Sequence, residues 1–336
     1  MSHLLSDLLA ERPWLLADGA TGTNMMAMGL PAGQPPDLWN VDQPENVSRL
    51  HASFLEVGSD IILTNTFGAN RRRLMLDKAQ ERTRELNEAG ARLARAAADR
   101  AGRPVVVAGS MGPTGEMLEP YGSFTREEAV EAFTEQAEAL AEGGVDVLWI
   151  ETIFAFDELA AAVTAAVSTG LGFASTMTFD TGGRTMMGDT PEKAAGFIHA
   201  LPQRPVAFGA NCGSGPAMLL DTLCGFARAA ESDDVIIAKG NCGVPKMVDG
   251  EIVYSGSQET MARYARLARD AGARIIGGCC GTTPAHLAAI RAALEGYTPG
   301  PPPDRAAIEQ ALGPVETPRP PSGGPPKARG GRRRRR

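Results

Sequence analysis

Hydrophobic positions along this chain follow two alternating periods. Eight short apolar runs stand out: "WLLA", "DIILT", "PVVVAG", "DVLWIE", "FASTMTF", "PVAFGAN", "VIIAKGN" and "ARIIGG". Longer stretches with helical spacing lie between them, such as 126–144, 157–170 and 257–272, each closing on Gly144, Gly170 or Gly272. Glycine just past a periodic segment is a helix stop. Nearly continuous apolar strands suit a parallel sheet covered on both faces. Eight strand–helix units within about 290 residues fit the size of a (β/α)8 TIM barrel of the α/β class. An open doubly wound sheet is the competing architecture.

The residues after each run share a character. They read "DGATGTN" (18–24), "TNTFGAN" (64–70), "SMGPTGE" (110–116), "ETIF" (151–154), "NCGSGP" (211–216), "GNCGVP" (240–245) and "CCGTTP" (279–284). In a barrel the C-terminal strand ends converge on one face, where active sites form. The pattern therefore predicts one polar, glycine-rich site assembled from many loops.

Composition sets the outer limits. The 336 residues are 43% hydrophobic, enough for one large domain with a full core. No apolar run reaches the roughly 18 residues needed to span a bilayer. The N-terminal stretch "MSHLLSDLLAERPW" has no basic flank and no long apolar core, so no signal peptide is expected. From Gly296 on, proline, glycine and arginine dominate. We expect the barrel over 1–296 and a disordered basic tail over 297–336, in which "DRAAIEQAL" has the pattern of a helical turn or two. The net charge of −7 divides unevenly: residues 297–336 carry nine basic and three acidic side chains, which leaves −13 on the rest. An acidic body argues against nucleic acid as the main partner. The oligomeric state is left open.

Five cysteines, an odd number in a long chain, argue against a disulfide framework and for a reducing cytoplasm. Cys224 sits in a helical stretch and reads as a small buried hydrophobe. Cys212, Cys242, Cys279 and Cys280 all lie at strand ends. Three thiolates around one ion leave a zinc coordination position open, as catalytic sites do, whereas four would close it.

With these motifs in hand, the chain resembles the homocysteine S-methyltransferase family, which includes the betaine–homocysteine enzymes and the homocysteine domain of methionine synthase. "DGATGT", "TNTFGAN", "MGPTGE", "IETIF", "GANCGSGP" and "GGCCGTTPAHL" match in order, over about residues 13–295. The resemblance implies Zn2+ on Cys212, Cys279 and Cys280, with Cys242 outside the coordination sphere. It implies homocysteine bound by Asp18, the Gly19, Ala20 and Thr21 loop, Glu151 and Asn211. Glu151 suits the substrate ammonium, whereas Asp18 takes the ammonium or orders the 19–21 amides around the substrate carboxylate.

The implied reaction is methyl transfer from a small onium donor to homocysteine, yielding methionine. Glycine betaine is the leading donor, with S-methylmethionine and dimethylsulfoniopropionate behind it. Trp39 and Phe67 are the candidate donor contacts. Phe67 and Thr152 stand where the betaine enzymes carry tyrosines, a departure toward the methionine-synthase type. The alternative is therefore the homocysteine-activating subunit of a split methionine synthase that docks on a corrinoid protein. A non-catalytic barrel with structural zinc is the contrasting class, and retention of both acids beside the thiols speaks against it.

Overall fold

The computed structural model describes residues 3–248 and 251–315. Ten strands are present: β1 (Leu15–Leu16), β2 (Ile61–Leu63), β3 (Val106–Met111), β4 (Val147–Ile153), β5 (Gly172–Met177), β6 (Ala207–Cys212), β7 (Ile236–Gly240), β8 (Pro245–Val248), β9 (Glu251–Tyr254) and β10 (Ala273–Gly278). Eight form one parallel sheet in the order β1-β10-β7-β6-β5-β4-β3-β2. A parallel bridge between Ala17 and Ile61 joins its two ends. Asp60 fastens the seam, accepting from the Leu16 amide at 2.9 Å and from Arg12 at 2.7 Å. An open doubly wound sheet has two free edges, so the closed seam settles the architecture as the (β/α)8 barrel.

Period-2 alternation sorts the strand residues. Leu15, Ile61, Leu63, Val106, Ala108, Val147, Trp149, Ala207, Ile237 and Ile275 pack together inside the barrel. Their neighbours Leu16, Ile62, Val107, Leu148 and Ala238 belong to the layer under the helices. The first helix, Leu4–Glu11, adds Leu5, Leu8 and Leu9 to the interior cluster, at helical spacing. It precedes β1 and so plugs the N-terminal end, leaving the opposite end for chemistry. Helices begin where the sequence supplies caps. Thr125 and Glu128 form a reciprocal capping box, for example, and Thr190 and Ser257 accept from the third helical amide.

Two features depart from the expectations. An antiparallel hairpin, β8 with β9, is inserted after β7 on the site-bearing face. The packed chain also runs beyond residue 296. Residues 297–315 lie against the barrel: Tyr297 and the Gly300 amide both donate to Asp270, and helix Arg305–Leu312 buries Ile308 while Val315 is buried just beyond it. Half-buried Cys224 donates its thiol to the Pro303 carbonyl at 3.4 Å. The domain boundary expected at 296 is therefore corrected to at least 315, because a short amphipathic segment covers apolar helix surface. The Arg-rich remainder of the expected tail, 316–336, lies outside the described residues. Among the described residues no helix is long and apolar enough to cross a membrane.

Candidate active site

The alternation that fills the barrel also builds the site. Two residues past inward Ala108, Trp149 and Ile237 come Ser110, Glu151 and Lys239, and all three are buried. These three strands thus carry apolar side chains inward until their C-terminal ends, where polar ones take over. The Asp18 carboxylate meets this layer from the loop after β1.

The thiols converge from two strand ends. At the end of β6, Cys212 takes a left-handed backbone conformation (φ 64°), followed by Gly213 at 76°. For a non-glycine residue this is strained and concentrates at functional sites. After β10, Gly278 packs so closely on Thr282 that a Cβ there would collide with its side chain. Gly281 (φ 76°) lies against the Tyr254 ring of the hairpin. The Cys279 amide donates to Gly240 O at 2.8 Å and the Cys242 amide to Cys280 O at 2.9 Å, which ties the β7 and β10 loops together. The result places the sulfurs of Cys212, Cys279 and Cys280 within 4.8 Å of one another, with 4.0 Å between Cys212 and Cys280.

This donor set fits a divalent soft-to-borderline ion. Tetrahedral Zn–S bonds of about 2.3 Å place sulfurs roughly 3.8 Å apart. The thiols' titration agrees. A hydrogen bond with Cys279 pulls Cys212 down, but contact with Cys280, burial and the charge of Cys280 push it up to about 12. Interaction with Cys212 pulls Cys280 down, but Cys279 and burial outweigh it and raise Cys280 to about 12. Burial and mutual proximity thus hold these thiols protonated, and a cation among them would favour the thiolates. Amide donors already point at two sulfurs, Asn241 Nδ2 at 3.6 Å from Cys212 and Asn211 Nδ2 at 3.8 Å from Cys279. Cys242 stands apart. Its Sγ lies 3.2 Å from Gly256 O and 3.3 Å from His286 Nε2, and burial raises its thiol to about 11.

Beside the thiols lies an ionic pocket. Asp18, 1% exposed, has both oxygens engaged: Oδ1 with Lys239 Nζ at 2.6 Å and Oδ2 with the Leu63 amide at 2.7 Å. Burial opposes charge on both partners. The carboxylates of Asp18 and Glu151 outweigh burial at Lys239 and hold its ammonium above the ordinary lysine range. Glu151 accepts from Ser110 Oγ at 2.5 Å through Oε1, and its other oxygen has no protein donor among the described residues. Burial pushes the Glu151 carboxyl up, with Lys239 and Ser110 opposing. The charge of Glu151 also acts on Cys279, so pocket and thiols are electrostatically coupled.

The remaining expected residues divide. The Ala20 amide donates to Thr282 O at 3.1 Å and is committed to the fold, whereas the Gly19 and Thr21 amides have no acceptor among the described residues. Asp18 does not organise that loop; its oxygens serve Lys239 and Leu63. Asn211 is fully buried and braces Thr152, accepting from its amide at 3.0 Å and donating to its hydroxyl at 2.8 Å. It therefore positions the β4 end and is not presented to a ligand. Trp39 is 5% exposed within the outer core, lining a separate cavity with Met28 and Gln34. Phe67 is 37% exposed, on the loop after β2, with its ring against Gly112. Lys239 went unassigned in the sequence, although counting by twos from Ile237 puts it inside the barrel.

Fold and site together define a barrel protein with a three-thiol metal-type centre at its C-terminal strand ends, next to a buried ionic pocket. The sequence profile described as "Homocysteine S-methyltransferase" matches residues 15–294. The chain belongs to that family. It is 31% identical over 307 residues to methionine synthase of Mycobacterium tuberculosis, covering 86% of this chain and 25% of that protein. It thus spans about a quarter of the length of that relative. The crystal structure of the Escherichia coli homocysteine methyltransferase MmuM in metallated form superposes with a TM-score of 0.68 at 27% identity, covering 86% of this chain and 99% of that one. Its oxidized form gives 0.69 at 26% identity, with the same coverage.

Proposed function

We propose that the protein transfers a methyl group from a small onium donor to homocysteine, forming methionine, with Zn2+ held by Cys212, Cys279 and Cys280. The observation that carries this reading is the placement of those thiols beside Glu151, whose second oxygen has no protein partner. Zinc in the site would lower the pKa of an added thiol and keep its sulfur nucleophilic at neutral pH. The protein's residues do the rest. Glu151, aimed by Ser110, accepts from the homocysteine ammonium, and the Gly19 and Thr21 amides face the carboxylate. Asn241 and Asn211 donate to the ligand sulfurs and moderate their charge. Holding the amino-acid end fixes where the substrate sulfur sits, which is the positional part of catalysis.

Glycine betaine heads the donor candidates, followed by S-methylmethionine and dimethylsulfoniopropionate. Support comes from a cavity of about 300 Å³ at the β3 to β5 ends, lined by Tyr121, Phe154, Phe156, Asp157, Met117 and Met187. Aromatic faces and a carboxylate suit an onium methyl group. Phe67 keeps its proposed donor role. Trp39 would need to leave the core to share it.

A second reading has its own observation. Met26, on the short helix Gly22–Ala27, and Phe67, Met117, Tyr121, Met186 and Val244, on loops, are exposed in the segments that follow strands around the mouth. Exposed apolar rims mark docking surfaces. In that reading the chain is the homocysteine subunit of a split methionine synthase, and a corrinoid protein brings the methyl group. The test is methionine formation by zinc-loaded protein with homocysteine against each onium donor and against a methyl-corrinoid protein. Turnover with an onium compound alone supports the first reading and turnover only with the corrinoid protein the second. No methionine from any donor overturns both. The five cysteines are free thiols, which suits a reducing compartment such as the cytoplasm.

A further inference from the structure

The Gly19 and Thr21 amides depend for their direction on groups outside their own residues. Each N–H shares a rigid planar unit with the carbonyl of the preceding residue, and in a trans peptide the two point in opposite directions. The 18–19 and 20–21 peptides are trans. The direction of the Gly19 and Thr21 N–H groups is therefore set by whatever holds the carbonyls of Asp18 and Ala20.

Asp18 O accepts from the Gly278 amide at 3.0 Å, with Lys239 Nζ at 3.4 Å. Ala20 O has one donor among the described residues, Asn24 Nδ2 at 2.6 Å. Asn24 stands four positions on, in the short helix Gly22–Ala27. The second N–H of its side-chain amide goes to Thr282 O at 2.9 Å. Both donors of Asn24 are thus spent on carbonyls, and the reversed amide would set Oδ1 against two carbonyl oxygens. The intervening Ala20 amide faces Thr282 O as well, at 3.1 Å. Thr282 O also lies 2.7 Å from where a Cβ on Gly19 would stand, so this loop needs glycine to lie against the segment that follows Cys279 and Cys280.

We propose that Asn24 is a positioning residue for the substrate carboxylate: by holding Ala20 O, it turns the Thr21 N–H to the ligand side, as the Gly278 amide does for the Gly19 N–H. Without the Asn24 donor the 20–21 peptide has no hydrogen bond at its carbonyl and can rotate, which takes the Thr21 N–H out of line. Asn24 acts through Thr21 and does not itself touch the ligand. The inference rests on the reading of the 19–21 loop as the homocysteine carboxylate site.

The experiment is calorimetric binding to zinc-loaded full-length protein, which needs no methyl donor. Three probes are used: homocysteine, 3-aminopropanethiol (no carboxylate) and 4-mercaptobutyrate (no amino group). In Asn24→Ala, homocysteine and 4-mercaptobutyrate should weaken about tenfold, the scale of one hydrogen bond to a charged group. The affinity for 3-aminopropanethiol should stay within about twofold, and zinc affinity, read by competition with a chelating dye, should not change. Asn24→Asp keeps the side-chain shape without the donors, so it should lose the two carboxylate probes at least as strongly. A wild-type-like Asn24→Asp would make packing the cause of any loss in Asn24→Ala and overturn the proposal. Equal losses for all three probes, or weaker zinc, would assign Asn24 to the thiol loop through Thr282 and also overturn it. Unchanged binding of every probe to Asn24→Ala overturns it outright. If Asn24→Ala does not fold, Asn24→Asp carries the same three-probe comparison. Wild-type protein that binds homocysteine no better than 3-aminopropanethiol would refute the carboxylate site and this inference with it, leaving the thiol chemistry in place. Wild-type protein that binds zinc but not homocysteine would instead refute the functional reading itself.

Discussion

Glu151→Gln isolates the charge that, in the proposed function, the pocket presents to homocysteine. The substitution preserves side-chain length, and a glutamine carbonyl can still accept from Ser110 Oγ, which lies 2.5 Å from Oε1 in the native protein. The Lys239–Asp18 pair at 2.6 Å does not involve Glu151 and should persist. On the proposed function, what disappears is one charge-assisted hydrogen bond to the homocysteine ammonium, a contribution of roughly 1.5–3 kcal/mol. Apparent homocysteine affinity should therefore fall by roughly tenfold to a hundredfold. Zinc content should stay at its wild-type value, and 4-mercaptobutyrate should bind both proteins alike. Acidity offers a second readout. Burial raises the Glu151 carboxyl, so it accepts its proton at higher pH than an ordinary glutamate as the solution is acidified. Wild-type homocysteine binding should weaken on acidification above the usual carboxylate range, while the variant lacks that limb. The 4-mercaptobutyrate profile supplies the limb belonging to the thiols, for subtraction. Unchanged homocysteine affinity would place the amino end elsewhere, and loss of zinc would make Glu151 a ligand; either result refutes the reasoning.

Three further outcomes are expected. Cys279→Ala or Cys280→Ala should lower zinc from about one per chain to near zero by elemental analysis, whereas Cys242→Ala and Cys224→Ala should retain it. Ending the chain at 315 should leave turnover within about twofold; ending it at 304 removes buried Ile308 and Val315 and should lower the melting temperature, since burial of such a side chain is worth about 1.5–3 kcal/mol. His51 is buried with neither ring nitrogen partnered among the described residues, and burial lowers its pKa to about 4. The unfolded chain takes up this proton below about pH 6.5 and the folded one does not, so roughly 3 kcal/mol of stability should drain away between pH 6.5 and 4, and denaturant titrations of His51→Leu should show a shallower acid slope.

The eight barrel strands were legible because parallel, doubly covered strands are apolar nearly throughout. The convergence of the three thiols was legible because Cys212 ends β6 and Cys279 and Cys280 directly follow β10. Lys239 was hidden inside the run "VIIAKGN": the parity that turns it inward is local, but the acid that tolerates it there stands 221 positions away. The β8–β9 hairpin was overlooked, although "KMVDGEIVY" carries an Asp-Gly pair between alternating apolar residues, a hairpin signal. The segment 297–315 was masked by its proline-rich surroundings, since one buried isoleucine and one buried valine scarcely alter composition. Trp39 was expected as a donor contact from the family resemblance alone; local structure decides side-chain direction, and the short helices at 36–42 turn it into the core.

The two halves of the site are joined at Asn211. Its amide braces Thr152, the residue after Glu151, and also reaches toward Cys279. Thr152 is left-handed (φ 65°), and the β4–β5 register shifts between Ile150 and Ile153, as at a bulge that re-aims a side chain. Cys212, next to Asn211, is the other strained residue of the site. The strain therefore sits at the two backbone positions that direct Glu151 and the Cys212 sulfur, and one buried side chain, Asn211, holds them in a common frame. Such an arrangement makes the distance between carboxylate and sulfur a property of the barrel and not of the bound molecule. If the proposed function holds, a substrate with its ammonium and thiol at matching separation is accepted without reorganisation, which is what methyl transfer requires of the partner that must be held still.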